Sequence, residues 1–180
     1  MKATFGFGEC VCWRSAGKLW LNTFSRGEQE HQRSASRWIT RMDVKVDRVA
    51  CPWLIRRFID SAAEFFFVPE SQLLKTARRL EAIPFDAPRL SGVKLNHRNQ
   101  RCTFEAIVED YALDDPVLLR LGLIVRAADI KGEEEAAAEG LGLRAIAHGF
   151  AALGFSDEER LSREFPIYDA LYEYVRRQAH

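Results

Sequence analysis

The run Glu64-Phe65-Phe66-Phe67-Val68, closed by Pro69, constrains the fold more than any other segment. A short continuous apolar run bounded by a proline reads as a buried strand. Such a strand needs a sheet to belong to. Trp38-Ile39-Thr40-Arg41 alternates like a short strand, and Ile83 to Asp86 and Val93 to His97 offer two more. Between them the pattern is helical. A helix through Phe58 and Ile59 carries Leu54, Ile55, Phe58 and Ile59 on one face and Arg56, Arg57 and Asp60 on the other. Pro69 opens another, with Leu73, Leu74, Ala77 and Leu80 inward.

The second half reads as helices alone. Thr103 to Tyr111 is a short one. Asp115-Pro116 supplies a cap and a first-turn proline for a helix reaching Asp129. Gly132 and Glu133–Glu135 mark a solvated turn, and Glu139 to Leu153 forms the next helix. Ser156 and Glu159 make a capping box, and Pro166 is expected to break or kink the final helical stretch. The pattern predicts an α+β fold, predominantly helical with a small sheet.

The 180 residues suit one domain with a sizeable core. Residues 1–37, with six Lys and Arg against three Asp and Glu, lack periodicity and read as a weakly ordered N-terminal extension, or as an artefact of the start site. Residues 38–180 form the domain. A formal net charge of zero gives no basic excess for nucleic acid. No apolar run approaches the roughly 18 residues that span a bilayer, so no membrane partner is expected. Without a signal sequence, Cys10, Cys12, Cys51 and Cys102 read as free thiols of a cytoplasmic protein. Cys10 and Cys12 lie in the extension and carry little weight.

Cys51 is the sharpest candidate for chemistry. Pro52 has no amide hydrogen and fits best in the first turn of a helix, which puts Cys51 at the helix mouth. There the free amides and the dipole stabilise a thiolate or a small oxyanion, with Arg48 and Lys45 nearby. The competing reading is a buried cysteine packed beside Trp53. His97 and Cys102 have the side chains of zinc ligands, and Cys51 with Asp47 or Asp86 could complete a set of four. Equally, His97 could satisfy a loop carbonyl. Asp129 ends a helix, where its charge opposes the dipole, and this hints at an arginine or a metal as its partner.

The blocks KVDRVACPWLIRRFID (45–60), EFFFVP (64–69), AIPFD (82–86), His97 with Cys102-Thr-Phe, IVRAAD (124–129) and YDALY (168–172) occur in one order. Together they resemble the C-terminal chromate-resistance domain of the chromate-resistance protein B family, from about Trp38 to Arg177. The resemblance implies a cytoplasmic bacterial protein tied to chromate efflux. In longer members an N-terminal region precedes this domain, and the whole acts as a chromate-responsive regulator. The extension of about 37 residues is too short to be that region, so DNA binding is not carried over. The family usually has proline where this chain has Val44. By position, the implied site contains Lys45, Asp47, Arg48, Cys51, Asp86, His97, Cys102 and Asp129. Its expected ligand is chromate or a similar small oxyanion. The alternatives are a divalent metal such as zinc, held by Cys51, His97, Cys102, Asp86 and Asp129, and thiol-based redox or sulfur-transfer catalysis at Cys51. Association into a homo-oligomer is left open.

Overall fold

The computed structural model describes residues 35–178. The expectations for Cys10, Cys12 and nearly all of the extension fall outside that range. The order is β1 (Arg37–Arg41), α1 (Val46–Leu54), β2 (Glu64–Val68), α2 (Leu73–Leu80), β3 (Ile83–Pro84), α3 (Thr103–Asp110), α4 (Pro116–Asp129), α5 (Gly140–Ala152) and α6 (Asp157–Gln178). It is the α+β, mainly helical fold that the periodicity predicts.

The three strands are parallel in the order β2-β1-β3. Trp38 pairs with Phe65 on one side and with Ile83 on the other. Because side chains alternate across a strand, neighbours in β1 enter different cores. Trp38 joins the larger cluster with Ala50, Leu54 and the helices α3 to α6. Ile39 joins a smaller cluster with Leu73 and Ala77 of α2. The sheet meets apolar clusters on both faces, which explains why β2 has no polar alternation, but β2 is an edge strand and Phe65 to Val68 are half-buried rather than buried as the run predicts.

The central position of β1 has a functional consequence. The chain leaves it toward β2 on one side and later returns as β3 on the other. In open parallel sheets, sites form beyond the carboxyl ends of strands at such a switch point. Arg41 ends β1 there, and Asp86 lies two residues beyond β3.

Several local expectations change. Cys51 is not at a helix mouth: α1 begins at Val46 with Lys45 as its N-cap, and Pro52 lies inside the helix. Proline there removes the donor to the Arg48 carbonyl but does not end the helix. Asp60 N–H instead closes a wider turn onto the Ile55 carbonyl, 2.8 Å away, over Ile55–Ile59. Burial of Val49, Ala50, Trp53 and Leu54 outweighs one lost bond. Pro166 likewise does not break α6, which runs unbroken past it. Tyr168, one turn-half later, is fully buried and its hydroxyl donates to the Val46 carbonyl (2.9 Å). Val93 to His97 is not a strand; a single bridge joins Leu95 to Phe85.

The caps follow the sequence closely. Asp115 accepts from Val117 N–H ahead of α4. Ser156 and Glu159 exchange bonds ahead of α6. Asp157 reaches back to accept from the amides of Asp43 and Val44 at 3.0 and 2.8 Å. Proline at position 44 could not make the second of these bonds.

Gly140 is where α5 crosses α4. A Cβ there would stand 2.4 Å from the Ala127 Cβ and 3.0 Å from backbone. Gly140→Ala is expected to cost about 2 kcal/mol or more through overpacking. Gly149→Ala, where a Cβ meets nothing within 4 Å, is expected to be neutral or stabilising. Urea unfolding of the two variants separates these outcomes.

Candidate functional site: three carboxylates on one imidazole

Asp47 is the second residue of α1, where an acidic side chain suits the helix dipole. Its carboxylate is used elsewhere. The amides of Thr103 and Phe104 donate to Oδ2 and Oδ1, at 2.6 and 3.0 Å. These are N–H groups that the first turn of α3 leaves without helical partners. Asp47 thus caps α3 from another helix. Cys102, the N-cap residue, contributes a local box in which its own N–H donates to Glu105 (2.9 Å). Glu105 in turn pairs with Arg126 of α4.

His97 comes from the long connection between β3 and α3. Directly after it, Asn99 and Gln100 both adopt positive φ (48° and 67°), and Arg98 and Arg101 exchange backbone bonds of 3.0 and 2.8 Å. Two successive positive-φ residues make the tight turn of a hairpin. Arg98 then forks onto Asp110 at the end of α3, with contacts of 2.6 and 2.7 Å. The imidazole is aimed by this clamp.

Its Nε2 lies 3.2 Å from Asp47 Oδ2, 3.4 Å from Asp129 Oδ2 and 3.5 Å from Asp86 Oδ1. Helix α1, the end of β3 and the end of α4 therefore each bring one carboxylate to one nitrogen. Asp47, His97 and Asp129 offer ligand atoms within 4.8 Å of one another. The partner that Asp129 needs at its helix end is the imidazole. Asp86 is further held by Arg41 and Arg48, each 3.2 Å from its Oδ2, and by the Thr103 hydroxyl at 3.3 Å. Arg48 also donates to the carbonyls of Arg41 and Met42. Three carboxylates face two guanidiniums, so one positive charge is required at the imidazole position.

The electrostatics follow. Hydrogen bonds to Asp129 and then Asp47 raise the His97 pKa to about 10, against the opposing effect of burial. Burial, then repulsion from Asp47, pushes Asp86 up to about 6, while Arg41 and Arg48 pull it down. Asp86 itself adopts positive φ (44°), a conformation that asparagine and aspartate tolerate better than other side chains.

The other predicted residues stand apart from this convergence. Cys51 is fully buried one turn along α1, and its thiol donates to Asp47 Oδ1 (3.4 Å). Burial and then the Asp47 charge push that thiol well up, which keeps it protonated. Cys102 is buried with Sγ 3.9 Å from the Gly122 carbonyl, and burial raises its pKa too. The two cysteines line the core behind the site. Lys45 is exposed at the N-cap of α1. Thr40, fully buried on β1, has a hydroxyl without a partner among the described residues.

Residues 38–175 match the family model described as "ChrB, C-terminal domain". The chain belongs to the ChrB family. It is similar to Protein ChrB of Cupriavidus metallidurans, at 33% identity over 144 residues. That alignment covers 79% of this chain and 42% of the relative, so the chain spans about two-fifths of the relative's length. No solved structure matches. Within the ChrB domain, Arg41 and the amides of Thr103 and Phe104 are site elements that the sequence reading did not single out. A strand-end arginine carries a weak sequence signal, and backbone amides carry none.

Asp47→Ala removes the α3 cap and leaves His97 with fewer anions. It is expected to cost about 3 kcal/mol or more in urea unfolding, whereas Asp47→Asn, which keeps an acceptor, costs less. For chelator-treated protein the pH trend has a definite sign. His97 binds its proton more tightly when folded, so its stabilisation is complete below about pH 6.5 and is lost as pH rises toward about 10. His97→Gln should flatten that part of the stability profile.

Proposed function

We propose that this domain acts in the cytoplasm in chromate resistance as a response module, and that it works by holding a hard metal cation at Asp47, His97 and Asp129. The observation that carries this reading is the convergence of three carboxylates from separate elements on one imidazole nitrogen. Membership of the ChrB family supports the link to chromate resistance. Control of chromate efflux would then be the output of a longer protein, of which this chain is one part.

The donor chemistry favours a cation over the chromate dianion. An oxyanion would meet Asp47, Asp86 and Asp129. The arginines it would need are already engaged: Arg41 and Arg48 by Asp86, and Arg48 by two carbonyls. The donor set is one nitrogen and two carboxylates, with Asp86 beside them, and the buried thiols do not contribute. Oxygen-rich sets of this kind suit manganese, iron and other hard ions better than a thiolate zinc centre. Asp47 would be the best-anchored ligand, because α3 amides fix its carboxylate. Arg41 and Arg48 would orient Asp86 and limit the charge it adds.

Titration of chelator-stripped protein with Mn(II), Zn(II), Cr(III) and chromate, followed by calorimetry, tests this. One equivalent of Mn(II) or Cr(III) is expected to bind, with at least tenfold loss in His97→Ala and in Asp129→Asn. Tight chromate binding that survives both substitutions, with no cation bound, would sink the reading. Cys51→Ser should leave cation binding within a few fold, since the thiol lies behind Asp47. Loss of binding in that variant alone would favour a thiol centre instead.

A further inference from the structure

A carboxylate offers about four lone-pair positions, two on each oxygen. On Asp47, Oδ1 accepts from the Phe104 amide at 3.0 Å and from the Cys51 thiol at 3.4 Å. Oδ2 accepts from the Thr103 amide at 2.6 Å. One position is left, on Oδ2, and it faces His97 Nε2 at 3.2 Å.

Asp86 reaches the same state through other partners. Its Oδ2 meets Arg41 and Arg48, both at 3.2 Å. Its Oδ1 accepts from the Thr103 hydroxyl at 3.3 Å, and its remaining position faces His97 at 3.5 Å. Both aspartates are buried, so the donors are not exchanged for water. Neither carboxylate is free to turn. Helix α3 fixes one, and a strand-end arginine and a helical arginine grip the other. Asp129 differs: among the described residues no donor engages its second oxygen, while Oδ2 lies 3.4 Å from His97.

This lone-pair pattern limits what the protein can give a cation. Asp47 and Asp86 each supply one oxygen, Asp129 one or two, and His97 one nitrogen. Calcium takes about six to eight oxygens, commonly with carboxylates bound through both atoms. Here two of three carboxylates are denied that mode, and one donor is not oxygen. Imidazole suits first-row transition metals, and carboxylate suits manganese.

We propose that the one-oxygen restraint on Asp47 and Asp86 makes the site select a six-coordinate transition-metal dication and reject calcium, and that Arg41 is a specificity-determining residue because it blocks the second oxygen of Asp86. This selectivity rests on the cation site proposed above. Arg41 is the cleaner residue to change. Its guanidinium bonds to the Asp86 carboxylate and carbonyl, whereas Arg48 also holds the chain that enters α1.

Competition titration of the chelator-stripped full chain with Mn(II) and Ca(II), together with infrared difference spectra of the carboxylate bands, tests the selectivity. The wild type should bind Mn(II) at least about a hundredfold more tightly than Ca(II). Its bands should show the wide splitting of carboxylates bound through one oxygen. Arg41→Met removes a positive charge, which strengthens both cations alike. It also frees the second oxygen of Asp86, so the preference for Mn(II) should fall at least about fivefold and the bands should narrow toward the chelating form. Arg41→Lys keeps a charged donor and should keep the preference. Equal affinity of the wild type for the two cations overturns the selectivity and leaves the cation site standing, and this comparison needs no variant. So does an Arg41→Met variant that unfolds cooperatively and shifts both affinities by the same factor. A wild type that binds neither cation overturns the selectivity and the cation site together.

Discussion

The carboxylate of Asp47 ties the domain together. It starts on α1, takes the two free amides that open α3, receives the Cys51 thiol from within α1, and faces the imidazole of His97. A buried anion is tolerated only when its charge and lone pairs are met. Here backbone amides meet most of that need, and amides cannot move without unwinding α3. The position of His97 relative to α1 is therefore set by helix geometry rather than by loop packing. Asp86 and Asp129 then close on the same nitrogen because β3 and α4 end beside it.

This arrangement separates two kinds of group that the sequence places close together. Asp47 and Cys51 are one helical turn apart. One presents its carboxylate to the site; the other points its thiol into the core behind. The low dielectric around Cys51, together with the neighbouring anion, favours the neutral thiol. The same burial makes Asp86 harder to ionise and keeps two guanidiniums committed to it. An acidic cluster, partly exposed at His97 and Asp129 and backed by arginines, is suited to charge balance around a cation. It is poorly suited to a dianion.

Much of the fold is legible in the chain because its signals are local. Asp115-Pro116 and Ser156 with Glu159 cap helices through bonds within four residues, so spacing alone reveals them. The Phe65–Phe67 run shows a strand because both its faces meet apolar clusters, although at the sheet edge its side chains are half-buried rather than buried. Pro52 and Pro166 mislead for the opposite reason. Each removes one helical bond, and the loss is outweighed by burial of Trp53 and Tyr168, a tertiary gain that the local sequence does not display. Leu95 fails to start a strand because only Phe85 is near enough to bridge it.

The candidate site divides along the same line. Sequence alone determined that Asp47, Asp86, His97 and Asp129 carry ionisable groups in segments that end or begin elements, and that Asp129 sits against its helix dipole. It could not assign them to one nitrogen, since residues 47 to 129 meet only after two strands have paired with β1 and two helices have packed over it. It also favoured Cys51, because Pro52 resembles a helix start. Tertiary structure decided otherwise: α1 begins five residues before Cys51, driven by burial of its apolar face, and the thiol is carried inward. What reaches His97 from that turn is the buried Asp47 carboxylate, held by amides that belong to another helix.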